Sequence, residues 1–204
     1  MRGERKMFNK ANFSVASVAE RERTWRGSRC GVSFAPKYTA ATDGKVLMLV
    51  TTPRNAPIED YPNIEGETLI KDFEPFMITR EDAEKIIKTI PKAQSIPILS
   101  NVGVLKTDNG DVAFVTTDLS SVNKTTAKKI DEKFPRITAV TPRGKPKIKF
   151  GMTLDLLSNL LGAMKKAGAE AVTLEAWDDK SAIRIKANVG DNQKAWALIM
   201  PRSM

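Results

Sequence analysis

The chain has 204 residues, 41% of them hydrophobic, and a net charge of +9, with no histidine and a single cysteine, Cys30. This apolar content can build a core, while the missing histidines exclude His-based acid–base and nucleophilic chemistry and the usual zinc sites. One cysteine excludes an intrachain disulfide, and no run of about eighteen apolar residues exists to span a membrane.

Basic residues open the chain, from Met1 to Lys6, and no apolar h-region follows; no signal peptide is expected, and a cytoplasmic location is. Phe8 begins a short strand. Ala11, Val15, Val18 and Ala19 have helical spacing and predict a helix reaching about Trp25. Residues 32–34, 37–40 and 46–50 read as strands, with Asp43-Gly44 turning the chain between the last two. Residues 52–74 contain three prolines and several acids, and read as a loop or edge segment. Phe76-Met77-Ile78 is strand-like. Thr79 and Asp82 have the spacing of a capping box, Ala83, Ile86, Ile87 and Ile90 form one apolar helix face, and Pro91 closes the helix. Val102-Gly103-Val104-Leu105 and Val112-Ala113-Phe114-Val115 flank Asn109-Gly110, a hairpin signal. The lysine-rich residues 120–133 predict a strand continuing into a mobile loop.

The same order of elements then returns. Lys147-Ile148-Lys149-Phe150 alternates like a strand, and Thr153 is a helix N-cap. Leu154, Leu157, Leu161 and Met164 follow at helical spacing, and Lys165-Lys166 stand in the last turn before Gly168. Residues 172–177 and 183–186 alternate with period two around a turn at Asp178-Asp179-Lys180-Ser181. Gly190-Asp191-Asn192 turns the chain again, into a strand over 195–200. Strand, helix, strands, three times over, predicts an α+β protein with helices on one side of antiparallel sheet.

Short motifs lie on this frame. Ala41-Thr42-Asp43-Gly44-Lys45-Val46-Leu47 resembles the A-T-D-G-H-R-L turn of bacterial DNA sliding clamps (the DNA polymerase III beta subunit). Phe8-Asn9-Lys10-Ala11-Asn12 is similar to a frequent opening of that family. Ile96-Pro97-Ile98-Leu99-Ser100-Asn101, Thr116-Thr117-Asp118-Leu119, Phe134-Pro135 with Val140 and Pro142, and Leu198-Ile199-Met200-Pro201-Arg202 resemble further clamp segments in a compatible order. The resemblance runs from about residue 7 to the end, and Val46 stands where the family usually has arginine. It implies the DNA-clamp fold: repeated βαβββ units, antiparallel sheets outside, helices lining one face. Full clamp chains have three domains of two such halves, whereas this chain has room for about three halves. The expected division is a two-half domain over 1–142 and a C-terminal half over 143–204; an alternative puts the full domain at 76–204.

The resemblance also implies a function. Clamps encircle double-stranded DNA as rings, without reading sequence, and tether a polymerase. The chain would then be a homo-oligomer, of four subunits if a ring needs twelve halves. Diffuse positive charge suffices for the channel, and the candidates are Arg21, Arg23 and Arg26 on the first helix, Lys85, Lys88 and Lys92 on the second, and Lys165 and Lys166 on the third. An ordinary solvated face, with a Glu84–Lys88 pair, is the competing reading. A cleft capturing short peptide motifs of the polymerase and the clamp loader would be lined by Thr42, Gly44, Val46, Leu47, Pro135, Val140, Leu198, Ile199, Met200 and Pro201; about half of its aliphatic members would instead be core.

No enzyme activity, cofactor or metal is expected. Glu175, Asp178, Asp179 and Lys186 could serve a Mg²⁺-dependent nuclease, but residues 178–181 read better as a turn. Trp25, Trp177 and Trp196 could stack on bases, with packing on a sheet or subunit edge the plainer role for the last two. Cys30 reads as a small buried apolar residue. An open clamp-like module that binds DNA or peptides without encircling anything is the main alternative.

Overall fold

A computed structural model describes residues 7–21, 29–53, 57–70, 72–92, 95–107, 110–189 and 193–202. The chain divides into two compact units, Met1–Ala139 and Val140–Met204. The expected α+β class holds, with every strand pair antiparallel.

The first unit runs through β1 (Phe8–Asn9), α1 (Lys10–Ser14), β2 (Gly31–Ala35), β3 (Tyr38–Thr42) and β4 (Leu47–Thr51). It then repeats with β5 (Phe76–Thr79), α2 (Arg80–Thr89), β6 (Asn101–Lys106), β7 (Val112–Thr117) and β8 (Val122–Ala127). The two halves exchange their first strands. One sheet has the order β4-β3-β2-β5 and the other β1-β6-β7-β8, with Phe34 opposite Phe76 and Phe8 opposite Val102. Neither half owns a complete sheet, and α1 and α2 pack together beneath the exchange.

A single core joins both sheets and both helices. Phe34 is its centre, fully buried with ring centroids at 5.0 Å from Phe8, 5.2 Å from Phe13, and 5.4 Å from both Phe76 and Phe114. Asn12 is the polar member. Its side-chain amide donates to Thr39 Oγ1 and to the Val50 and Thr51 carbonyls, and its Oδ1 accepts from Asn9 N–H. The second sheet is buried on its other face too. Leu105, Ala113 and Val115 lie under Ile64 and Leu69, and Leu69 fits there because Gly103 has no side chain; a Cβ at that position would collide with the Leu69 Cδ2.

Residues 57–70 thus form more than a loop, and Tyr61 is buried within them. Burial pushes its phenol up to about 12. Burial favours the neutral form, so the stabilisation is complete below pH 10 and is lost as pH rises from 10 towards 12. Thermal melts should therefore fall more steeply over that range for the wild type than for Tyr61→Phe; equal slopes would refute the assignment.

Several expected elements differ. The first helix ends early: α1 passes into a 3-10 turn over Val15–Val18 and Ala19 is extended. There the Ser17 and Ala19 carbonyls accept from the Arg80 guanidinium of the other half, which replaces continued helix bonding. Thr79 caps α2 by accepting from Asp82 N–H, but Asp82 turns to Lys85. Glu84 pairs with Arg80 rather than Lys88.

The second unit contains α4 (Leu154–Lys166), β9 (Thr173–Glu175), β10 (Ile183–Asn188) and β11 (Lys194–Ile199), after a short helix, α3 (Ile137–Val140). Its sheet order is β11-β10-β9. Residues 147–150 are not a strand. An antiparallel strand needs a paired neighbour, and nearby only the isolated bridge between Gly151 and Arg202 forms. Thr153 precedes α4 but its hydroxyl makes no cap bond. Asp178 closes the turn before β10 by accepting from Lys180 and Ser181 N–H.

Candidate nucleic-acid interface and peptide groove

Helix α2 presents Ala83, Ile86 and Ile90 to the core and leaves Lys85 and Lys88 exposed, with Lys92 exposed just beyond its end. Three basic and three acidic residues share this helix. The Asp82 carboxylate 2.9 Å away holds the Lys85 ammonium above its usual range, so Lys85 is already engaged. Lys165 and Lys166 are exposed in the last turn of α4, where one acid, Asp155, stands in the first turn. Arg21 is exposed beyond the shortened first helix, not on it. Arg23 and Arg26 lie outside the described residues. The cations facing solvent without an ion pair among the described residues include Lys88, Lys92, Lys165 and Lys166.

The peptide-site candidates fall into separate groups. Thr42, Gly44, Val46 and Leu47 form one turn. Thr42 Oγ1 donates to the Val46 carbonyl at 2.6 Å and accepts from Gly44 N–H at 3.0 Å. Asp43 accepts from the Lys45 and Val46 amides, chiefly the latter, which hold its carboxyl below the usual range. Gly44 takes φ +89°, free of strain only for glycine. Val46 is 55% exposed. The turn recurs one half later. Thr117 donates to the Ser121 carbonyl and accepts from Leu119 N–H, and Asp118 accepts from Ser120 and Ser121. Leu119 takes the glycine's place at φ +73°.

Pro135 belongs to a different feature, a groove of about 970 Å³ whose lining also includes Ser33, Tyr38, Phe76, Met77 and Lys129, but none of the Thr42 turn. The chain after β8 builds one wall: Ile130 N–H donates to the Met77 carbonyl, and the Lys129 ammonium lies 5.9 Å over the Phe76 ring. The sequence signals Pro135; it does not signal Tyr38 or Met77, which reach the groove through β2–β3 and β2–β5 pairing. In the second unit, Val140 is 63% exposed at the end of α3, and Leu198 and Met200 are 56% and 65% exposed. Pro201 is half-buried. Ile199 is core, 6% exposed, because β11 alternates its faces.

The acids considered for metal chemistry have structural partners. Glu175 accepts from Lys186 and Arg184, which hold its carboxyl low, and Asp178 is held low by Ser181 and the Lys180 amide. Among the described residues no three acidic or cysteine side chains gather as a metal site would require. Cys30 is buried; Trp177 and Trp196 are 61% and 66% exposed.

Comparison with solved structures decides the architecture. The chain superposes on the beta sliding clamp of C. crescentus with a TM-score of 0.66 at 18% identity, covering 98% of this chain and 50% of that one. It also matches the DNA polymerase sliding clamp of Bacillus subtilis (TM-score 0.62, 16% identity, the same two shares). The chain has the sliding-clamp fold. DNA polymerase III subunit beta from Borrelia burgdorferi shares it, at TM-score 0.65 and 12% identity over 97% of this chain and 47% of that one. The chain spans about half the length of these clamps. No family model matches the sequence, and no curated protein matches it. In sliding-clamp terms the strand-exchanged first unit and the βαβββ order account for the doubled Thr-Asp turn, which occupies the same place in both halves.

Proposed function

We propose that the chain is a DNA sliding clamp, a polymerase processivity factor that encircles duplex DNA as a homo-oligomeric ring. In this reading the first unit is a two-half clamp domain and the second a half. The observation that carries it is the superposition of nearly the whole chain on clamps. The net charge of +9 supports it, because a ring holds DNA by closure and needs only sequence-independent attraction to phosphate. Lys88, Lys92, Lys165 and Lys166 would supply that attraction, and Arg21, Arg23, Arg26 and Lys85 would add to it. No step of chemistry is required of the clamp itself. Polymerase and clamp-loader peptides would dock on exposed apolar positions, and the Pro135 groove, whose lining includes Tyr38, Phe134 and Ile137, suits a short extended peptide.

The test is retention on circular DNA. Protein assembled with a closed circular plasmid should travel with it through a sizing column at moderate salt, and should be lost when the plasmid is cut once. Retention that survives cutting unchanged would sink the encircling ring and favour an open binding module. Exchanging Lys88, Lys92, Lys165 and Lys166 for glutamate should leave the solution mass unchanged. It should weaken DNA association roughly a hundred-fold near 0.1 M salt, and the slope of log affinity against log salt should flatten by about 0.9 for each phosphate no longer neutralised.

A further inference from the structure

The second unit holds the helix and three strands of one half, and its segment before α4 and its open β9 edge match the two means of pairing used by the first unit's halves. The alignment follows from the helix starts. Thr79 precedes α2 and Thr153 precedes α4, so Phe76, Met77 and Ile78 correspond to Phe150, Gly151 and Met152. A backbone bond supports this register. Ile130 N–H donates to the Met77 carbonyl, and Arg202 N–H donates to the Gly151 carbonyl, both at 2.9 Å. In the first unit the opposite edge of this segment carries β2 of the other half. In the second unit that edge carries no strand among the described residues, and β9 ends its sheet.

The helix tells the same story. Ala83, Ile86 and Ile90 of α2 are buried; at the matching positions of α4, Met164 is buried, but Leu157 and Leu160 are only partly covered. The Arg80 side chain is 11% exposed because it reaches the other half. Leu154, its counterpart, is 76% exposed.

We infer that two copies of this chain join through their second units, each laying the segment around Gly151 along β9 of the other, to complete a two-half domain about a two-fold axis. In the first unit each half both gives its first strand and receives the other's; two second units doing the same make a self-complementary pairing, as a two-fold requires. The register transfers from the first unit. Ser33, opposite Met77, pairs with Ala40, two residues before Thr42, where β4 begins its pairing. The matching position in the second unit is Lys186, which pairs with Thr173. Gly151 therefore faces Thr173, Phe150 faces Leu174 and Lys149 faces Glu175 of the partner copy. Beyond these, Lys145 and Lys147 run toward Asp178 and Asp179. Lys145 and Lys147 thus approach acids, whereas Glu175 is already held by Arg184 and Lys186; the pairing also covers Leu174, which is 50% exposed.

The experiment uses the full chain with Cys30→Ser, Gly151→Cys and Thr173→Cys. Gly151 directs its backbone groups to Arg202, so its pair with Thr173 is not hydrogen-bonded, and a Cα separation near 4.5 Å suits a disulfide. Mild oxidation should give a covalent dimer that reductant dissolves, whereas Lys149→Cys with Thr173→Cys, out of register, should give little. The unmodified chain should scatter light as an even multiple of 22.5 kDa, and Lys145→Glu with Lys147→Glu, both on exposed positions, should weaken association at least ten-fold. A folded monomer would overturn the pairing, as would an oligomer that neither cross-links at these positions nor responds to the Lys145→Glu, Lys147→Glu exchange. Cross-linking without retention on circular DNA would remove the ring while leaving this pairing in place.

Discussion

Replacing Phe34 by alanine should remove about 3–5 kcal/mol from the stability of the first unit. The side chain is fully buried and four other phenylalanine rings stand within 5.4 Å of its centroid. The loss has two parts: the transfer of the ring out of water, and a cavity that rings from both halves border and cannot readily fill. Phe8 and Phe13 come from the first half, Phe76 and Phe114 from the second, so collapse around the gap would have to move both sheets. Urea titration followed by circular dichroism should show the midpoint falling by about 1.5 M, given slopes of roughly 1–3 kcal/mol/M. A shift under about 0.3 M would mean that the core relaxes freely and that the five-ring arrangement is not what holds the halves together.

Asn12→Leu should come close to that effect by another route, at about 3 kcal/mol. Leucine keeps the branching and the number of side-chain heavy atoms and is bulkier, so no cavity forms. What is lost is a donor set: Thr39 Oγ1 and the Val50 and Thr51 carbonyls lose the amide, and Asn9 N–H loses its acceptor. Asn12 is fully buried, so water does not replace these bonds without opening the packing between α1 and β3–β4. Hydrogen exchange should show the amides of β4 losing protection first. Unchanged protection in β4, with normal global stability, would show that these groups find other partners.

The repeated order of strand, helix and strands was legible because hydrophobic periodicity is local. Ala83, Ile86 and Ile90 on α2, or Ile183 and Ile185 on β10, declare their buried face within a few residues. The turn at Asp178 was legible for the same reason, since an aspartate that accepts from its own downstream amides needs nothing distant. The strand exchange was not legible. Phe8 meets Val102 and Phe34 meets Phe76 only through the tertiary fold, and no local pattern states that β5 belongs with β2. The early end of the first helix shares this cause, because Arg80 takes the Ser17 and Ala19 carbonyls from far along the chain. Residues 147–150 alternate as a strand does, yet alternation fixes faces and does not supply a neighbour.

The interface candidates divide along the same line. Exposure of Lys88, Lys165 and Lys166 followed from helix phase. The engagement of Lys85 by Asp82 could have been read from their i,i+3 spacing; the expected Glu84–Lys88 pair has the same i,i+4 spacing as the Arg80–Glu84 pair that forms, so spacing did not decide between them. Placing Pro135 beside Tyr38, Phe76 and Met77 required knowing where the chain goes after β8. The left-handed turn at Leu119 was invisible too: a leucine gives no hint of a conformation that glycine adopts at Gly44, and the flanking Thr117 and Asp118 bonds hold it there.

The exchange of first strands sets a timetable for biosynthesis. β2 is translated roughly forty residues before β5, and β1 roughly ninety before β6. At about 5–20 residues per second, the first half spends several seconds on the ribosome with the edge of β2 bare and Phe8, Phe13 and Phe34 lacking their partners from the second half. A nascent chain in that interval offers both an open strand edge and an aromatic surface to its neighbours. On a crowded polysome, adjacent copies could donate one another's missing strand, so slower initiation or a holding chaperone should raise the yield of correctly closed molecules.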